Sequence, residues 1–282
     1  MIKTNPRLLH PQFDLDAARR AFKDRAVDPD DVEEHITSPY DMFAIEEMRA
    51  RGVGCVGRAV PTDVFIMGKG EPARRDMTKV GGLPYWPVDR PWPRNGDDPL
   101  RFLAQFNFAD STDLVGELPG AVLAVFVEAG DDFFWKPPHF EWLPPGLDPV
   151  RTIEPDRVAS NPFFGCIHRT VDYFFCPESE DPNEWGPDVF RPMVLQAIKI
   201  GGVGSSVQGE DPPPGRFLCQ LNSIQAACEV PYPWANSPDS LDLGFTTPGI
   251  YHESNKMMLG DMGVLAIYMD DDGTLRSTDE CY

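Results

Sequence analysis

Three polar residue types recur at matched places inside otherwise apolar stretches: Lys79 and Lys199, Gln105 and Gln220, Asn107 and Asn222. A buried glutamine or lysine must find partners or cost stability, so such repetition has a physical cause. One reading is structural, with the side chains pinning backbone groups where two halves of the chain meet. The other is functional: the six residues line a cleft between the halves, orient a ligand, and use Asp261 as a proton acceptor. The sequence leaves both open.

Other spellings that could do chemistry fail on their surroundings. Gly52-Val53-Gly54-Cys55-Val56-Gly57 has dinucleotide-turn spacing, but a helix is expected before it and extended chain after it, the reverse of what a pyrophosphate needs. His252-Glu253-Ser254-Asn255-Lys256 lacks the second histidine of a zinc clamp. Gly204-Ser205-Ser206-Val207-Gln208 lacks a glycine of the nucleophile elbow. Cys166, His168 and Cys176 match no zinc-ribbon spacing, and Cys166 follows Phe163 and Phe164 as a packed thiol would. Asp270-Asp271-Asp272-Gly273 follows an apolar strand and reads as a hairpin turn rather than a calcium loop. No catalytic residue, metal or cofactor is assigned on this basis. Aromatic and proline residues cluster around Tyr85, Trp86 and Trp92, around Trp135, and around Trp234. They form either an interaction surface with aromatic anchors or self-packed loops.

The polar positions belong to longer repeats. Lys79-Val80-Gly81-Gly82-Leu83 returns as Lys199-Ile200-Gly201-Gly202-Val203, and Arg101-Phe102-Leu103-Ala104-Gln105-Phe106-Asn107 returns as Arg216-Phe217-Leu218-Cys219-Gln220-Leu221-Asn222. The apolar run from Gly120 to Val127 returns from Gly263 to Asp270. Three matches in one order indicate an internal duplication with loops of different length. Short apolar runs broken by Pro, Gly and Asp predict strands from Cys55 onward. Before them, Asp14 and Asp41 are placed to cap two helices. The expected fold is therefore α+β: an N-terminal helical segment over 1–54, a first repeat over 55–160 and a second over 161–282, the repeats forming one pseudo-symmetric body.

Lys79 to Pro87, Leu103 to Asn107, Leu118-Pro119-Gly120, Lys199 to Gly202 through Gln208, and Gly260-Asp261-Met262-Gly263 together resemble the YwqG-like family, a bacterial domain of unknown function. Leu259 departs from the pattern, which often carries Trp before Gly-Asp. The resemblance implies a duplicated α+β fold and no known reaction. It also makes an immunity-like role near bacterial toxin systems conceivable.

The formal net charge is -20, which opposes binding to nucleic acid or to an anionic membrane and suits a basic protein partner. Met1-Ile2-Lys3-Thr4-Asn5-Pro6 opens no apolar signal region, and the longest apolar run is too short to span a bilayer. Six cysteines without a Cys-x-x-Cys pair then read as reduced thiols of a cytoplasmic protein. The expectation is a non-enzymatic binding protein, immunity-like, that covers a basic effector. The alternative is a small-molecule binder or enzyme that uses the cleft. The oligomeric state is left unassigned.

Overall fold

The computed structural model describes residues 54–55, 58–69, 71–129, 136–149, 152, 162–174, 189–190, 197–206, 208, 212–225, 256–257, 259–260 and 263–281. Ten strands form one antiparallel sheet. The first repeat supplies β1 (Arg58–Lys69), β2 (Lys79–Val80), β3 (Arg101–Asn107), β4 (Val122–Val127) and β5 (His139–Leu143). The second supplies β6 (Phe163–Phe174), β7 (Lys199–Gly201), β8 (Arg216–Asn222), β9 (Val264–Met269) and β10 (Leu275–Glu280).

Their spatial order is β10-β9-β8-β7-β1-β6-β2-β3-β4-β5. The two repeats thus run outward in opposite directions from a central pair, and that pair is exchanged: β1 bonds to β7 of the second repeat, and β6 bonds to β2 of the first. The details match as well. Lys79 faces Gln105 as Lys199 faces Gln220, and both β3 and β8 carry a bulge, between Phe102 and Ala104 and between Phe217 and Cys219.

The expected α+β architecture with an N-terminal helical segment is corrected. The described residues are strand-rich, and their one helix, α1 (Thr112–Val115), has four residues. Residues 1–53, where the helices were expected, lie outside the described residues. Sheet burial explains why no helical layer is needed over the described part. β4 and β9 are buried along their whole length. Their odd and even positions serve different layers, as a strand's alternation requires. Leu123, Val125 and Val127 join Leu265, Ile267 and Met269 in one apolar cluster that draws on both repeats. Val122, Ala124 and Phe126 on the opposite face pack under a proline-rich segment through Tyr85, Trp86 and Leu100. A loop stiffened by prolines covers that face.

The hairpin between β9 and β10 closes as its Asp-Gly spelling predicts. Gly273 takes a φ of 87°, and its N–H donates to the Asp270 carbonyl at 2.9 Å. Of the glycine-rich stretch before β1, Gly54–Cys55 pairs in parallel with Val189–Phe190, and the rest lies outside the described residues.

Candidate functional site

The repeated polar residues meet at two equivalent places, each beneath a Gly-Gly turn. Gly81 and Gly82 take φ values of 62° and 65°, and Gly201 and Gly202 take 68° and 80°. L-residues with a Cβ avoid this left-handed region. Space demands glycine too: a Cβ on Gly82 would lie 1.9 Å from Glu71 Oε1, and one on Gly202 would lie 2.2 Å from Asp172 Oδ2. A carboxylate therefore presses against each turn.

In the first repeat Glu71 accepts from the Leu83 N–H and from the Lys79 ammonium, both at 2.5 Å, and Lys79 also donates to the Leu83 carbonyl at 2.6 Å. In the second, Asp172 accepts from the Val203 N–H at 2.9 Å and from the Lys199 ammonium at 2.7 Å. Both lysine side chains are fully buried; Asp172 is buried with its partner, whereas Glu71 keeps an exposed side. Burial pulls the pKa of each lysine below its ordinary value, against the opposing pull of its carboxylate.

The glutamines complete each unit. Gln105 Oε1 accepts the Tyr85 N–H at 2.8 Å, and its Nε2 donates to the carbonyls of Arg75 at 2.6 Å and Met77 at 2.8 Å. Gln220 Oε1 accepts the Ser205 N–H at 2.9 Å, and its Nε2 donates to the Ala197 carbonyl at 2.9 Å. Each amide ties the chain before the lysine to the chain after the turn. Asn107 continues the pattern: its Nδ2 donates to the Asp76 carbonyl and its Oδ1 accepts the Ala109 N–H. Asn222 diverges and donates to its neighbour, the Ser223 carbonyl, at 3.0 Å. Lys79, Gln105, Lys199 and Gln220 therefore spend their polar groups on the protein's own backbone and carboxylates. Asp261 lies outside the described residues.

The candidate aromatic surface divides similarly. Tyr85 and Trp86 are buried and Trp92 is half-buried. Trp86, Trp92 and Phe126 meet edge to face at centroid distances of 5.1 to 6.1 Å, and the Arg90 guanidinium stacks on Trp86 at 4.7 Å. Both indoles donate to backbone carbonyls, Trp86 to Arg90 and Trp92 to Leu100. These rings fasten a loop to the sheet. Trp135 and Trp234 lie outside the described residues.

A cluster missed from the sequence sits across the central pair on the other face. Asp63 and Arg169 are directly opposed in register. Asp63 is fully buried, and it accepts from the Ser111 hydroxyl at 2.7 Å and from two nitrogens of Arg169. Arg169 also bridges to Asp113 of α1 at 2.7 and 3.0 Å. These hydrogen bonds with the two carboxylates hold the guanidinium's pKa above its ordinary value, so it stays charged. Neither residue lies in a repeated stretch, so only the pairing of β1 with β6, which sequence does not give, could have joined them.

Among the described residues, no group of three His, Cys, Asp or Glu side chains is arranged to hold a metal ion. No described helix is long and apolar enough to cross a membrane. Residues 78–144 match the model of a family described as a domain of unknown function, DUF1963. That stretch runs through β2, β3, β4 and β5 and includes Lys79, the first Gly-Gly turn and Gln105. No curated protein matches the chain.

Proposed function

We propose that the chain is a protein-binding module whose acidic exterior meets a basic partner. The net charge of -20 carries this reading, and the placement of the charges supports it. Arg74 pairs with Asp76, Arg90 with Glu141 and Arg276 with Asp270, while Arg94 and Arg216 donate to carbonyls. Asp89, Asp97, Asp98, Asp110, Glu117, Asp148, Asp271 and Asp272 are exposed. The described surface thus turns its carboxylates outward and keeps its cations occupied, which steers a positively charged partner.

The narrower form of the proposal is an immunity-like protein of the YwqG-like family that covers a basic effector in the cytoplasm. The sequence resemblance supports it, and the thiols of Cys219 and Cys281, both free, suit a reducing compartment. The test is capture by the tagged chain from its host at ~0.1 M and ~1 M salt, since screening lengths shrink about threefold over that range. The reading expects a stoichiometric basic protein that is held at low salt and lost at high salt. A partner held equally in both would defeat the electrostatic part.

A further inference from the structure

Matched by register, the two repeats also differ in kind at the central strands. Lys199 pairs with Val64 of β1, and its counterpart Lys79 pairs with Phe164 of β6. One residue further on, Phe65 therefore corresponds to Gly165. The hydrogen bonds agree: the Phe65 N–H donates to the Ile198 carbonyl at 2.9 Å, and the Gly165 N–H donates to the Thr78 carbonyl at 3.1 Å. Beside Ile198 of the second repeat this position holds the phenyl ring that β1 contributes. Beside Thr78 of the first it holds the glycine that β6 contributes. A glycine inside a strand removes a side chain that would otherwise pack, and it often marks a close approach by something else.

The missing ring leaves a hollow of about 20 Å³, walled by Phe65, Met77 and Ile167 and rimmed by Arg74, Asn107 and Asp110. That volume holds one water-sized group. The rim carries one cation and one anion: the Arg74 guanidinium is tied up by Asp76, outside the hollow, at 3.0 and 2.9 Å, and the Asp110 carboxylate stands exposed beside it. The Thr78 hydroxyl and the Asn107 amide oxygen each accept one backbone N–H and retain a second lone pair.

We propose that this hollow is a binding site for a primary ammonium head, and that its occupant is a lysine side chain of the basic partner. The identity of the occupant rests on the reading above; the ammonium site does not. An ammonium is water-sized, needs several acceptors and gains from Asp110, whereas a guanidinium is too broad for the space.

The test is amide chemical-shift titration of the full chain with butylammonium chloride, and with tetramethylammonium chloride at matched ionic strength. Butylammonium is expected to move the Gly165, Ile167 and Asn107 signals saturably, and tetramethylammonium, too bulky to enter, is not. Asp110→Asn, a surface change that leaves the core alone, should weaken binding about fivefold, the scale of one exposed charge pair. Gly165→Ala should abolish it by filling the space with a methyl group, the melting temperature serving as the check on folding. No saturable shift, or equal responses to both cations, would overturn the site and leave the hollow to water. If butylammonium binds but Gly165→Ala retains the captured basic partner, the lysine assignment fails while the basic-partner reading survives. Salt-insensitive capture defeats that reading without touching the titration.

Discussion

Lys199 has no exposed surface, and a charged ammonium there would be untenable without Asp172 at 2.7 Å. Replacing the lysine alone takes the ammonium away from a buried carboxylate, so Lys199→Met should cost about 3–5 kcal/mol in chemical denaturation. Adding Asp172→Asn should recover part of that loss. Gln220→Ala strips partners from the Ser205 N–H and the Ala197 carbonyl and should cost about 1–3 kcal/mol; Gln105→Ala acts likewise at Tyr85 and Met77. An unchanged unfolding midpoint in either glutamine variant would contradict the pinning role. The buried Cys219 thiol gives a further check. Burial raises its pKa well above the ordinary value of 9.0, so the folded state keeps a proton that the unfolded chain gives up. Its contribution is complete below pH 9.0 and is lost as pH rises through the folded value. Cys219→Ala should therefore flatten the decline of melting temperature above that pH, and an identical slope in both proteins would speak against it.

Among the elements, the two Gly-Gly turns are the parts most closely tied to the sequence. Gly82→Ala meets both a left-handed φ and the Glu71 carboxylate, and Gly202→Ala meets Asp172 in the same way. Gly96 also has a positive φ, of 58°, but open space around it, so Gly96→Ala should cost only the conformational term of about 1–2 kcal/mol. Thermal melts of the three variants should rank Gly96→Ala well above the other two. The turns, the strands that follow them and the Asp-Gly hairpin were legible because glycine, alternation and repetition are local signals. Two things were not. The carboxylates that complete the turns sit outside the repeated stretches, Glu71 before β2 and Asp172 near the end of β6, where nothing local singles them out. The packing of Trp86 and of half-buried Trp92 depends on Phe126, itself backed by Phe102, arriving from strands of the sheet, so their spelling alone suited a surface equally well.

At the scale of the whole molecule, exchange of β1 and β6 interlocks the repeats, because each repeat's Gly-Gly strand bonds to the opposite repeat's side of the central pair. The repeated stretches were readable from the sequence, but this exchange was not, since strand order is a long-range property. A chain cut once by an introduced protease site between residues 150 and 161 should stay associated and melt in a single transition; separation of the pieces on sizing would contradict the interlock. The whole chain carries the net charge of -20, and the proposed function lies in what that charge attracts, not in the buried lysines and glutamines. The most direct measurement is salt-dependent capture from the host, run in parallel on the wild-type chain and on Gln105→Ala and Gln220→Ala at a temperature where all three are folded. The account expects one basic protein to be retained at low salt by all three and released at high salt. A partner-free wild-type chain, or binding abolished by either glutamine change while the fold persists, would contradict it.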